Sequence, residues 1–157
     1  PDSRLMDVGS GAGFPGIPLK VMIPSLKVTL VDATRKKVSF LNHVIRQLHL
    51  SRISAMQSRI EDMQQEWKGR FDVIVCRAFS SLGDFAEKSL PLLGPEGLLM
   101  AYKGRELGDD LDQASTQSGE TVFPVSGKGF HTELRMKCVP FTLPFLNLSR
   151  ILILLRR

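Results

Sequence analysis

The chain has 157 residues, 43% of them hydrophobic, which predicts a single globular domain with one core over residues 1–157. Its longest apolar run, Ile151 to Leu155, is too short to cross a bilayer, so we expect no membrane partner. The formal net charge of +5 is compatible with a nucleic-acid partner but does not require one.

The first predicted element is a buried strand, Leu5 to Val8, which runs directly into a glycine-rich turn. Gly9, Gly11 and Gly13 alternate along this turn, and Phe14 follows them. Glycines at the carboxyl end of a strand let the backbone turn sharply and let a ligand lie against it. The spacing G-x-G-x-G matches neither the dinucleotide fingerprint nor the phosphate-binding loop. The turn therefore predicts a nucleoside-cofactor site, with a purely structural turn as the alternative.

Two carboxylates flank the glycine turn. Asp7 precedes the first glycine by two residues, and Asp32 ends the second predicted strand, Val28 to Val31. An acidic residue at the tip of the second strand can accept hydrogen bonds from a ribose, although Asp32 is also suited to cap the next helix. A carboxylate at Asp7 repels a pyrophosphate and attracts a cation. A cofactor with a ribose, a positive centre and no phosphate fits both residues, and S-adenosylmethionine is such a molecule.

Strands and helices alternate through the next part of the chain. The apolar periodicity predicts helices over Ile17–Met22, Arg35–Leu50 and Leu82–Leu93, and strands over Ile53–Gln57, Phe71–Cys76 and Gly97–Tyr102. This alternation predicts a five-stranded parallel sheet with helices on both faces.

The character of the sequence changes after Lys103. Leu107, Leu111 and Ala114 indicate one more helix, and residues 121–132 are rich in Gly and Ser. Two strand-like runs follow between Leu134 and Arg157, and their short link favours an antiparallel pair. We therefore predict an α/β, doubly wound, mostly parallel sheet of seven strands, the S-adenosylmethionine-dependent methyltransferase fold. Ligands of such sheets bind at the carboxyl ends of the strands.

Residues after the third and fourth strands complete the candidate site. Ile60 and Glu61 follow the third strand, where an apolar side chain can cover an adenine and a carboxylate can contact its edge. Acidic residues also favour any helix start, so Glu61 has a structural alternative. Arg77 follows the fourth strand, beside the expected place of the activated methyl group.

Basic residues lie near the same end of the predicted sheet. Residues 35–37, Arg-Lys-Lys, open a helix at the end that disfavours positive charge, so we expect compensation by a carboxylate such as Asp32 or by a phosphate partner. A solvated basic surface is the alternative. Residues 103–105, Lys-Gly-Arg, extend the positive rim.

The sequence lacks the spacings of several other kinds of site. The three histidines and the two cysteines, Cys76 and Cys138, form no metal-ligand pattern, so we expect no metal. Two cysteines without such spacing indicate reduced core thiols in a cytoplasmic protein. Cys76 has no neighbouring base that would make it a nucleophile.

Five sequence blocks resemble the bacterial small-subunit ribosomal RNA guanine-N7 methyltransferases, the RsmG or GidB family. These blocks are DVGSGAGFPGIPL (7–19), LVDATRKKVSFL (30–41), SRIED (58–62), CRAF (76–79) and YKG (102–104). The resemblance implies a cytoplasmic enzyme that uses S-adenosylmethionine to methylate 16S ribosomal RNA. It implies cofactor contacts at Gly9, Phe14, Ile60, Glu61 and Arg77. Family members usually carry an amino-terminal helical region, which we expect this chain to lack.

The implied reaction needs no proton acceptor. Guanine N7 carries an in-plane lone pair and no proton, so alignment of the reactants suffices, and we assign no catalytic residue. We expect a monomer that acts on 16S ribosomal RNA or on the small ribosomal subunit. Two alternatives stay open: a methyltransferase of the same fold that acts on a small molecule or protein, and a non-catalytic cofactor-binding or RNA-binding module.

Overall fold

The computed structural model describes residues 2–77, 79, 81–104, 115–117, 120–127 and 129–157. In these residues the helices are α1 (Gly16–Met22), α2 (Arg35–Gln47), α3 (Ile60–Met63) and α4 (Leu82–Ser89), which continues into a 3₁₀ turn at Leu90–Leu92. The strands are β1 (Arg4–Val8), β2 (Lys27–Asp32), β3 (Ile53–Gln57), β4 (Phe71–Cys76), β5 (Leu93–Lys103), β6 (Ser115–Gln117), β7 (Glu120–Gly127), β8 (Phe130–Leu143) and β9 (Leu148–Arg156).

The strands form one sheet in the order β3-β2-β1-β4-β5-β9-β8-β7-β6. The first five strands are parallel to their neighbours, and β9 joins β5 in antiparallel register. The strand order reverses between β1 and β4, which places a ligand crevice at the carboxyl ends of these strands. The predicted fold class is confirmed.

The prediction of seven strands is wrong, because the described residues contain nine. The segment 121–132 contributes β7, which pairs with β8 and in turn carries the short edge strand β6. Phe123 and Val125 alternate toward the core in β7 and are fully or almost fully buried. Pro124 between them argues against a strand in the sequence, since proline is rare in the interior of sheets. The helix predicted around residues 107–114 and Arg105 of the basic rim lie outside the described residues.

Helices cover both faces of the sheet, as the doubly wound class requires. On one face α1 and α2 pack over Leu5, Leu30 and Val75 in one apolar cluster. On the other face α3 and α4 pack over a second cluster that includes Met6 and Ile74. Consecutive residues of a strand point to opposite faces, so neighbours such as Leu5 and Met6 enter different clusters. None of the helices in the described ranges is long and apolar enough to span a membrane.

Candidate functional site

The glycine turn is held against the end of β2 by its backbone. The amides of Gly9 and Ser10 both donate to the Val31 carbonyl, at 2.8 and 3.1 Å. Gly9, Gly11 and Gly13 have φ angles of 69°, 57° and 90°, in the left-handed region that favours glycine. The predicted reason for these glycines, a sharp backbone turn at the end of β1, is therefore what the structure contains.

Asp32 connects the glycine turn to the start of α2. Its Oδ2 accepts a hydrogen bond from the Gly11 amide at 3.1 Å, and its Oδ1 accepts one from the Thr34 amide at 2.9 Å. Lys37 Nζ lies 3.5 Å from Oδ2, which supplies the compensation expected for the basic start of α2. Burial favours the neutral acid, but the hydrogen bonds from Thr34 and Gly11, together with the charge of Lys37, outweigh it and lower the pKa of Asp32.

A crevice of about 350 Å³ opens at the carboxyl ends of β1, β2 and β3. Four of the predicted site residues line it, and they are Gly9, Asp32, Ile60 and Glu61. The other lining residues are Val8, Val31, Ala33, Thr34, Lys37, Ser58, Arg59 and Phe79. The acidic and apolar groups expected of a nucleoside site thus meet in one cavity, and the aromatic ring of Phe79 joins them.

The other four predicted residues lie beside this crevice. Gly11 binds Asp32 through its amide, and Gly13 is buried against Ile17, where a Cβ atom would clash. Phe14 is half exposed, and the Arg77 guanidinium lies 5.7 Å from the centroid of its ring, a cation–π contact. Direct cofactor contact stays a prediction for all eight residues.

Lys88 of α4 holds Glu61 in position. Its Nζ lies 2.9 Å from a carboxylate oxygen of Glu61 and 2.9 Å from one of Asp84. It also lies 5.6 Å from the centroid of the Phe79 ring, another side chain of the crevice. The hydrogen bond from Lys88 is the main cause of the lowered pKa of Glu61. Sequence reasoning missed this residue, although the spacing of Asp84 and Lys88 on one helix face was a visible signal.

Asp7 is positioned differently from the sequence expectation. Its side chain is fully buried and is not among the residues that line the crevice. Its Oδ2 accepts a hydrogen bond from the Gly16 amide at 2.9 Å, whereas its Oδ1 has no hydrogen-bond partner among the described residues. Burial raises the pKa of Asp7 to about 6. The carboxyl group therefore anchors the start of α1 under the turn.

We expect replacement of Asp7 by asparagine to flatten the pH dependence of stability. The unfolded chain loses this proton near pH 3.8 and the folded chain near pH 6, so the folded state binds more protons in this window. The free energy of unfolding of the unmodified chain then falls as the pH rises from about 4 to about 6. The neutral amide of the variant does not ionise, so the variant does not lose stability in this way. The free energy of unfolding of Asp7→Asn therefore rises by about 1–3 kcal/mol relative to that of the unmodified chain between pH 4 and pH 8.

Urea unfolding of both proteins at pH 4, 6 and 8 measures this effect. Asp62→Asn, at an exposed aspartate of α3, is the matched control and keeps the pH dependence of the unmodified chain. A stability difference between Asp7→Asn and the unmodified chain that is equal at pH 4 and pH 8 contradicts the assignment.

Cys76 is a buried thiol, not a nucleophile. Burial raises its pKa to about 12, so the thiolate that nucleophilic attack requires is scarce at neutral pH. Within the described ranges, no three His, Cys, Asp or Glu side chains are grouped so that they could hold a metal ion.

Comparison with known sequences identifies relatives over most of the chain. A family model described as GidB, rRNA small subunit methyltransferase G, matches residues 1–135. A Geobacter sp. (strain M21) protein named ribosomal RNA small subunit methyltransferase G is 37% identical over 154 residues, covering 98% of this chain and 66% of the relative. The protein of the same name from Geotalea uraniireducens is 49% identical over 111 residues, covering 71% and 51%. The chain thus spans about half to two thirds of the length of these relatives.

Solved structures share the fold at low sequence identity. A predicted O-methyltransferase from Agrobacterium tumefaciens, Atu636, has a TM-score of 0.71 at 12% identity, covering 99% of this chain and 74% of that one. A SAM-dependent methyltransferase from Aquifex aeolicus has a TM-score of 0.67 at 16% identity, covering 98% and 81%. At these identities the similarity establishes the fold alone.

Proposed function

The chain belongs to the GidB family, rRNA small subunit methyltransferase G, and we propose that it transfers a methyl group from S-adenosylmethionine to N7 of a guanine in 16S ribosomal RNA. The observation that carries the proposal is the crevice in which the Gly9 backbone, the Asp32 carboxylate and the Ile60–Glu61 pair meet. We propose further that the protein acts as a cytoplasmic monomer on ribosomal RNA or on the small subunit.

The residues of the crevice fit the cofactor. Gly9 lines it, and no atom in the described part of the chain lies within 4 Å of a Cβ atom built at this position, so the missing side chain leaves room for a ligand against the backbone. Asp32 lines the crevice and its Oδ1 accepts a hydrogen bond from the Thr34 amide, and a carboxylate has about four lone-pair sites on its two oxygens. It can therefore accept a ribose hydroxyl without losing its contact with α2. Ile60 offers an apolar surface to the adenine, and Lys88 holds Glu61 at the edge of the crevice.

The chain contributes binding and alignment to the reaction. When bound, S-adenosylmethionine supplies an activated methyl group that a lone pair can attack. Guanine N7 offers such a lone pair without a proton, so no side chain has to act as a base. Arg77 follows β4 and keeps its guanidinium over Phe14, and we propose that it anchors the cofactor or the RNA backbone.

Methyl transfer to RNA tests the proposed function. The chain is incubated with cofactor carrying a labelled methyl group and with 16S ribosomal RNA, either free or in the small subunit, and the RNA is digested to nucleosides. The expected product is labelled N7-methylguanosine, with label reduced to background in Asp32→Ala. Cofactor binding without labelled RNA contradicts the proposal and favours a non-catalytic module, whereas label on another class of substrate favours the rival methyltransferase.

A further inference from the structure

A second cavity, of about 440 Å³, lies at the carboxyl ends of β4 and β5. We call it the hairpin cavity, because the β8–β9 hairpin contributes Phe141 and Arg150 to its lining, together with Arg77, Tyr102 and Lys103. Arg77 follows β4, the strand beside β1, whose end leads into the nucleoside crevice. The two cavities thus lie next to each other along the edge of the sheet where ligands of this fold bind.

The hairpin brings an aromatic and a cationic side chain to the same point. Phe141 of β8 and Arg150 of β9 are directly opposite each other in the antiparallel register, so their side chains share a face. The Phe141 ring also meets the edge of the Tyr102 ring, with 6.4 Å between centroids and 88° between planes. Both hairpin residues lie beyond residue 135, where the family match ends.

The charge of the hairpin cavity favours an anionic ligand. Arg77, Lys103 and Arg150 line it, and the described lining residues include no carboxylate. Arg150 donates one hydrogen bond to the Ser149 carbonyl at 2.9 Å, and a guanidinium has five N–H donors. A phosphate can therefore be bound by Arg150 without breaking this contact, and Arg77 and Lys103 add positive charge around it.

Cations and aromatic rings in one cavity are the combination that binds single-stranded nucleic acid, because the cations contact phosphate and the rings stack on bases. We propose that the hairpin cavity binds a nucleotide of the RNA substrate, with its phosphate at Arg150 and its base against Tyr102 and Phe141. This inference rests on the proposed function, since it places the nucleotide beside the cofactor crevice. An anion such as free phosphate would use the cations but not the rings.

Two variants test the two halves of this site. We expect Arg150→Gln and Phe141→Leu each to weaken binding of a fluorescent, guanosine-containing single-stranded RNA about 10-fold, as measured by anisotropy. Arg150→Gln should also lower the slope of log affinity against log salt by about 0.7, whereas Phe141→Leu should leave it unchanged. S-adenosylhomocysteine affinity, measured by calorimetry, stays within twofold of that of the unmodified chain in both variants.

Arg156→Gln is the matched control. Arg156 lies on the same strand and face as Arg150, is exposed, and is about 20 Å along the strand from the cavity. We expect it to weaken RNA binding less than twofold. Loss of folding would also weaken RNA binding, so the thermal unfolding midpoints of all three variants are measured and should match that of the unmodified chain.

The outcomes separate this inference from the proposed function. Equal RNA affinity in Arg150→Gln, Phe141→Leu and the unmodified chain overturns the proposal that the hairpin cavity binds a nucleotide, even where methyl transfer occurs. Failure of the unmodified chain to bind RNA overturns it as well. Weakened RNA binding in both variants, with no methyl transfer by the unmodified chain, supports the cavity and contradicts the proposed methyltransferase activity.

Discussion

Replacement of Asp32 by alanine is expected to raise the dissociation constant of S-adenosylhomocysteine about 10- to 100-fold. A hydrogen bond to a charged group contributes about 1.5–3 kcal/mol, so loss of the proposed ribose contact costs about that amount, where each 1.4 kcal/mol is tenfold. The alanine variant also releases the Gly11 and Thr34 amides, which the carboxylate holds at 3.1 and 2.9 Å. The glycine turn and the start of α2 then lose their shared anchor.

Calorimetric titration of the variant with S-adenosylhomocysteine measures this effect. Asp62→Ala is the control, because Asp62 is an exposed carboxylate near the crevice that does not line it. We expect the control to bind within twofold of the unmodified chain, and Asp32→Asn, which keeps an acceptor oxygen, to fall between the two. An Asp32→Ala variant that folds and binds within threefold of the unmodified chain refutes the ribose contact.

The parallel strands could be predicted because their signals are local. β3 and β4 have the predicted bounds, Ile53–Gln57 and Phe71–Cys76. β4 is a largely apolar run, and β3 is a weaker signal in which apolar residues are interrupted by a serine. The predicted ends of the helices were less accurate than those of the strands. α2 ends at Gln47, before the predicted Leu50, and α4 gives way at Leu90 to a 3₁₀ turn that contains Pro91. Helix ends depend on capping contacts that periodicity does not contain.

The antiparallel part of the sheet required information from distant residues. β7 buries Phe123 and Val125, but two alternating apolar residues around a proline are weak evidence for a strand by themselves. Pairing of β7 with β8 makes the strand, and this pairing depends on contacts that form only in the fold. The same reason explains β6, which pairs with β7 at the edge of the described sheet.

The candidate site shows the same division between local and distant signals. Gly9, Asp32, Ile60 and Glu61 were predicted because each follows a recognisable strand, and parallel strands bring their ends together. The orientation of Asp7 and the contact between Lys88 and Glu61 depend on how α1 and α4 pack against the sheet. The spacing of residues along the chain does not contain this information.

Replacement of Gly16 by alanine is expected to destabilise the fold by about 2–4 kcal/mol. Gly16 begins α1 and donates its amide to Asp7 Oδ2. A Cβ atom at this position would clash with Leu30 Cδ2 and would lie 2.7 Å from Asp7 Oδ2 and 3.1 Å from Asp7 Cβ. Leu30 and Asp7 are both fully buried, so neither has space to move. In a helix, alanine is ordinarily more stable than glycine by about 1 kcal/mol. A loss of stability in Gly16→Ala would therefore come from the steric clash and not from helix propensity.

Gly104→Ala provides the comparison for urea unfolding, because no atom of the described residues lies within 4 Å of a Cβ atom built there. We expect this control to stay within about 0.5 kcal/mol of the unmodified chain. The Gly16→Ala variant should also bind S-adenosylhomocysteine more weakly, since the clash pushes α1 and the glycine turn away from β1 and β2. Unchanged stability of Gly16→Ala would mean that α1 does not pack closely against Leu30 and Asp7. It would also contradict the anchoring role of Asp7. The glycine that follows the turn thus tests whether close helix packing, and not the turn alone, holds the crevice in shape.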